Sequence, residues 1–272
     1  MPELPEVART AISLNTRIQG SDLLEVKIHS GRYSRHGNPV GMDRFIENLP
    51  AKIESVDFHG KLVIFTFNDS NDKRWWMWNT FGMSGGWKSE KSKHGHVELV
   101  TTNGSYFYTD IRNFGTIKFV DDEKATKAKI KSKGPDHLKD NNTDELFAQR
   151  IRIASGANIC AALMNQGLIG GIGNYIKAEI LYRSSISPWR SVDSISDDEM
   201  SRLNKNTREV VRGSFSNGGA TIHSYTGLDW EEGEYPFFFQ VYGRPICENG
   251  YEVKRETTPD GRTTHWVSQI QK

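Results

Sequence analysis

The sequence predicts an α+β fold: a β-rich first half, then a helical half that ends in a β-hairpin. Three observations carry this. Up to about residue 120, apolar residues come in short β-branched and aromatic runs closed by Gly, Asn and Asp. From Thr143 their spacing turns helical. From about Phe237 short runs return, around the turn Pro259-Asp260-Gly261-Arg262.

Taken in order, Val7 to Leu14 has the spacing of one helix ahead of the strands. "AKIESVDFHGKLVIFTFNDSND" holds an apolar run, Leu62 to Phe67, between turn residues. "KRWWMWNTFGMSGG", "GHVELVTTNGSYFYTDI" and "GTIKFV" read the same way, with Asn103-Gly104 as a hairpin turn. "DDEKATKAKIKSKGPD" is charged and broken by Gly-Pro, so it reads as a linker. "TDELFAQRIRIA", "NICAALMNQ", "NYIKAEILYRSSI" and "SDDEMSRLNKNTREVVRGSF" read as helices, with Thr143 and Ser196 as N-caps. "YEVKRETTPDGRTTHWVSQI" reads as the terminal hairpin. The expected boundaries are a catalytic domain over 1–122, a basic linker over 123–142, a helical domain over 143–236 and the hairpin over 237–272.

Composition narrows the function. The 272 residues are 36% hydrophobic and 25% charged, which is globular. No run approaches the roughly 18 apolar residues of a membrane helix, and no basic-then-apolar leader opens the chain. With two cysteines, Cys160 and Cys247, no disulfide framework is legible, so an intracellular, reducing compartment is expected. The Asn-x-Ser/Thr matches at Asn68, Asn103 and Asn141 are read as chance. The net charge of +1 does not announce a polyanion partner. Lysines 124, 127, 129, 131 and 133 still form a local basic run, either a solvated face or a contact surface.

The opening "MPELPEVART" is the first chemical signal. Removal of Met1 exposes the secondary amine of Pro2. About a tenth of an α-amino group is unprotonated at pH 7, against about 0.04% of a lysine. Such an amine suits Schiff-base chemistry, and Glu3 beside it can carry protons. A second signal competes. Gly82-Met83-Ser84-Gly85-Gly86 fits the G-x-S-x-G of serine hydrolases, with Asp110 and His265 following in order. That motif needs a strand before it and a helix after it, and "WKSEKSKHGHVELV" has no helical period.

"MPELPEV", "HGKLVIF", "FGMSGGW", "TDIRNFGTI", "KGPDHL", "LMNQGLIGGIGNYIKAEILYRSSISP", "VYGRP" and "DGRTTHW" resemble, in this order, segments of the Fpg/Nei family of DNA glycosylases. The resemblance spans nearly the whole chain. It implies an N-terminal β-sandwich with a catalytic N-terminal helix, and a helix–two-turn–helix domain with a finger hairpin. It implies a base-excision-repair DNA glycosylase with AP lyase activity, acting as a monomer on damaged duplex or single-stranded DNA. No cofactor is expected, and the localisation is with genomic DNA.

By the same resemblance Pro2 attacks C1′ of the damaged nucleoside, Glu3 moves protons at the sugar, and Lys61 holds a flanking phosphate. Glu6 positions the terminus. Met83, Arg112 and Phe114 fill the gap left by the extruded base; without it, core packing is the plain reading of Met83 and Phe114. Asn174 opens a helix behind glycines, where a phosphate can approach or where a tight turn simply packs. Arg262 reaches a phosphate and assists the second elimination.

Two departures stand out. Thr80 replaces a usual His or Arg. The finger lacks the two cysteine pairs of a zinc site, holding only Cys247 and His265, so no metal is expected. This is similar to the zincless finger of some Nei-like enzymes, including vertebrate and giant-virus members. It favours oxidised pyrimidines and ring-opened purines over the 8-oxoguanine of an Fpg-type enzyme. A DNA-binding module that has lost its chemistry is the remaining alternative.

Overall fold

The computed structural model describes residues 1–139, 142–220, 226–229 and 231–272. Asn141, one of the sequence matches above, lies outside them. The described chain divides into two compact units. One is Met1–Lys131 with Gly218–Gly233; the other is Ser132–Asn217 with Glu234–Lys272. Among the described residues no helix is long and apolar enough to cross a membrane.

The first unit opens with helix α1 (Leu4–Ile18). It starts earlier than the apolar spacing suggests because Pro5 sits in its first turn, where the missing N–H costs no hydrogen bond. Leu4, Val7, Ala8, Ala11, Leu14 and Ile18 form its buried face. Pro2 and Glu3 therefore stand directly at a helix N-terminus.

Eight strands follow: β1 (Asp22–Ile28), β2 (Ala51–His59), β3 (Leu62–Asp69), β4 (Arg74–Thr80), β5 (Gly85–Lys88), β6 (Gly95–Thr101), β7 (Gly104–Asp110) and β8 (Thr116–Val120). They pair antiparallel in the order β5-β7-β6-β1-β2-β3-β4-β8. The sheet curls so that its ends face each other. Trp87 Nε1 on β5 donates to Asn79 Oδ1 on β4 at 2.9 Å, and Tyr108 Oη on β7 donates to the Thr80 carbonyl at 3.2 Å. Trp87, Phe65 and Phe67 lie between the layers, with Phe65 and Trp87 rings 5.4 Å apart. This is the expected β-sandwich.

Short helices α2 (Arg32–His36) and α3 (Met42–Ile46) lie between β1 and β2. The Asn103-Gly104 hairpin forms, but Thr102 and Asn103 take the turn while Gly104 pairs with Thr101. The expected linker is not bare. Glu123–Lys131 is a helix, α4, and its Ile130 packs against Leu62, Ile64 and Trp76.

The second unit holds α5 (Asp144–Arg152), α6 (Ile159–Met164), α7 (Asn174–Arg183) and α8 (Asp197–Ser216). Thr143 caps α5, and Ser196 caps α8 with Glu199 in a reciprocal capping box. The terminal hairpin is β9 (Lys254–Thr257) with β10 (Thr263–Trp266), Thr257 opposite Thr263. It belongs to the same compact unit as the helices. Residues 218–233, grouped by sequence with the helical domain, belong to the sandwich unit.

Candidate active site and nucleic-acid interface

In the sandwich unit the site begins at the chain terminus. Pro2, Glu3 and Glu6 are buried, the two glutamates 2% and 1% exposed. Glu6 Oε2 accepts from Glu3 N at 2.8 Å, and its Oε1 accepts from Ala220 N at 2.7 Å. Gly219, at φ +82°, comes so near that a Cβ there would lie 3.0 Å from Glu6 Oε1. With both oxygens engaged by backbone, Glu6 ties the terminus to residues 219 and 220.

Lys61 stands at the tip of the two-residue turn between β2 and β3. Gly60 takes φ +57° at the first turn position, the conformation a tight hairpin asks of a glycine. The Met1 amine, which precedes Pro2 here, is pulled below its ordinary value chiefly by burial. Glu3 and Glu6 oppose that shift, while Lys61 and Arg112 add to it. Two carboxylates and two cations thus share one field with the amine.

Met83, Arg112 and Phe114 gather on two adjacent turns. Arg112 Nη1 lies 3.3 Å from Met83 Sδ, and its guanidinium lies 5.5 Å from the Phe114 ring centre. Met83 is 36% exposed and Phe114 55%, which removes core packing as the reason for either. The turns are knitted from beneath. Ser84 Oγ donates to Asp110 Oδ1 at 2.5 Å and accepts from Arg112 N at 2.9 Å; Asp110 Oδ2 accepts from Gly115 N at 2.7 Å. That overturns the hydrolase reading. Ser84 sits between two strands, bound to Asp110, and His265 belongs to the other unit. Thr80 Oγ1 pairs with Thr116 Oγ1 at 2.7 Å across β4 and β8.

In the helical unit Asn174 is the first residue of α7. The glycine turn before it is organised by Gln166, whose side chain donates to the Ile172 carbonyl and accepts from Gly171 N, each at 2.9 Å. Asn174 Nδ2 donates to the Thr263 carbonyl at 2.9 Å, so its amide holds the hairpin in this structure. Arg262 is exposed at the hairpin tip, where Gly261 takes φ +72°.

Sequence reasoning missed the residues that seat this hairpin. Lys177 and Glu179 on α7 are both fully buried. Lys177 Nζ meets Asp260 Oδ2 at 2.6 Å. Glu179 accepts from the backbone N–H groups of Gln240, Val241 and Tyr242 at 2.8–3.1 Å. Burial pushes its carboxyl up while those three donors pull it down. Two charges inside the apolar run "NYIKAEILY" were the available signal.

Cys247 packs with Val241, Val253, Val267, Ala178 and Tyr182, and Ile270 covers the cluster. His265 faces the Tyr242 ring at 4.8 Å; burial, then Arg255 and Lys177, lower its pKa to about 4. Tyr251, just ahead of the hairpin strands, is exposed. Among the described residues no group of three or more His, Cys, Asp or Glu is placed to hold a metal ion.

Comparison with known proteins gives two successive matches along the chain. Residues 1–117 match the model of the formamidopyrimidine-DNA glycosylase N-terminal domain, and residues 133–226 match that of the formamidopyrimidine-DNA glycosylase H2TH domain. The formamidopyrimidine-DNA glycosylase of Zymomonas mobilis is 30% identical, with all of both chains covered. That of Lactobacillus gasseri is 30% identical over all of this chain and 99% of its own. The crystal structure of MutM (Fpg) from Thermus thermophilus superposes with a TM-score of 0.87 at 28% identity, covering 99% of this chain and 98% of that one. A Lactococcus lactis Fpg mutant in complex with Fapy-dG-containing DNA has the same TM-score at 24% identity over the whole of both chains, a likeness of fold.

Proposed function

The chain belongs to the formamidopyrimidine-DNA glycosylase family, base-excision-repair enzymes with glycosylase and AP lyase activity, and we propose that Pro2 is the nucleophile through which it works. Its secondary amine attacks C1′ of the damaged nucleoside, and the base leaves with a proton. The resulting iminium acidifies the C2′ proton, so the 3′ phosphate departs, and a second elimination releases the 5′ phosphate. Hydrolysis of the imine then frees the amine. Glu3 gives and takes the protons at the sugar, Lys61 holds a flanking phosphate, and Arg262 assists the second elimination. Met83, Arg112 and Phe114 occupy the space of the extruded nucleotide, and the opening turn of α7 at Asn174 receives a phosphate.

One observation supports this most strongly: the amine of Met1, one residue ahead of Pro2, lies largely buried in the joint field of Glu3, Glu6, Lys61 and Arg112. A carboxylate to shuttle protons and cations to hold phosphate are what imine chemistry on DNA requires. The substrates we infer are ring-opened purines and oxidised pyrimidines, with 8-oxoguanine as the competing lesion. The cysteine-poor finger favours that order, and the relatives' name supports the ring-opened purines. The enzyme works wherever the genomic DNA of its host is kept.

The test separates binding from chemistry. Glu3→Gln is expected to keep lesion-DNA affinity and lose base excision. Lys61→Leu is expected to weaken both and to lower the salt slope of binding by about one. Normal excision by Glu3→Gln, or a parental slope in Lys61→Leu, contradicts the assigned role. A panel of oligonucleotides, each with one defined lesion, orders the substrates.

A further inference from the structure

Helix α7 makes two side-chain bonds to the finger turn, and they bracket Arg262. Asn174 Nδ2 bonds the carbonyl of Thr263, the residue after it. One helical turn on, Lys177 Nζ bonds Asp260 Oδ2, two residues before it, at 2.6 Å. Asn174 and Lys177 are three apart and so share a helix face. The ionic bond is sealed, with side chains 0% and 3% exposed. Asp260 Oδ1 accepts from Thr258 Oγ1 at 2.5 Å, and Thr258 Oγ1 pairs with Thr264 Oγ1 at 2.7 Å. One buried network therefore joins the helix to the turn and to β10.

Stability alone does not account for a buried ion pair here. Desolvation of both charges offsets most of their attraction, and well-packed apolar residues commonly serve as well or better. What such a pair adds is direction. A two-stranded hairpin of four-residue strands is marginal by itself, and an apolar contact lets it slide, whereas an ammonium against one carboxylate oxygen admits a single seating. We propose that Lys177 and Asp260 are a positioning pair that locks Arg262 in fixed register with the opening turn of α7, so that both address the same stretch of DNA backbone. This rests on the assignment of Arg262 to phosphate contact and to the second elimination.

The test compares the neutral pair Lys177→Met/Asp260→Asn with Arg262→Ala on one abasic and one lesion duplex. It follows melting temperature, base release, and the ratio of second- to first-elimination product at the 3′ end. Both charges are removed together so that neither is stranded in the interior. The neutral pair is expected to melt with the parent and release base at the parental rate. Its product ratio is expected to fall about ten-fold, because a displacement near 1 Å can cost about a hundred-fold. Lys177→Arg/Asp260→Glu, which keeps a charge pair in a modified seating, is expected to recover part of the ratio. A parental ratio in the neutral pair overturns the proposal if Arg262→Ala has lost the second elimination. Parallel loss of melting, base release and ratio also overturns it, since that makes the pair structural only. If Arg262→Ala itself keeps the parental ratio, the role given to Arg262 is what fails.

Discussion

Arg112 is fixed at its backbone by Ser84 and Asp110, while its side chain reaches Met83 and Phe114. Large apolar side chains held out by so tight a turn are exposed rather than packed in the unit's core, and we propose that a gap in a base stack is the surface they fit. Phe114→Ala or Met83→Ala is expected to leave melting unchanged within about 0.5 kcal/mol. Each should slow excision on paired DNA more than cleavage at an abasic site, which is cheap to extrude. Equal slowing on both substrates contradicts the wedge. The terminal amine makes a pH prediction. The Met1 amine is held below its ordinary value, mainly by burial, and a Pro2 amine exposed in the same field is expected to reach its neutral, reactive form below the ordinary α-amino range. The acid limb of adduct formation should fall there, and Lys61→Leu should move it upward. At this scale Pro2, Glu3, Lys61 and Arg262 could be proposed from sequence because each lies in a short segment that carries the family resemblance. Asp110 was not: its work, bonding Ser84 and Gly115 across two turns, exists only once the strands pair.

The finger carries Cys247 alone where the resemblance implies two cysteine pairs. Part of its support is apolar: Val253 and Val267 pack with Val241, Ala178 and Tyr182. The rest comes from charges that periodicity does not reveal, Glu179 on the 240–242 backbone and Lys177 on the turn. With Cys247 inside an apolar cluster, we expect purified protein to carry no stoichiometric zinc and chelators to leave activity unchanged; one zinc per chain contradicts this reading. The hairpin also carries a pH signature. Burial works against the charge of Asp260, yet its bonds to Lys177 and Thr258 hold its pKa below the ordinary value. A depressed carboxyl contributes stability above its unfolded pKa, and that contribution is lost as pH falls through the lower, folded value. Amide protection of 254–257 and 263–266 should therefore fall on acidification in the parent, and less so in Lys177→Met/Asp260→Asn.

Across the whole molecule, the order of β-rich and helical parts was legible because period alone separates them. Which stretches pack together was not. Residues 218–233 belong to the sandwich unit through contacts such as Ala220 N to Glu6 and the Lys88 ammonium to the Thr226 and Gly227 carbonyls, which join positions more than a hundred residues apart. The α4 helix escaped notice because Ile130 is almost its only apolar anchor. What unifies the chain functionally is one claim, that its terminal secondary amine is the nucleophile. Borohydride added during turnover tests it most directly. The account predicts a covalent protein–DNA adduct that peptide mapping assigns to Pro2, and no adduct when a residue is inserted between Met1 and Pro2. Full trapping or full activity with the terminus blocked would contradict it.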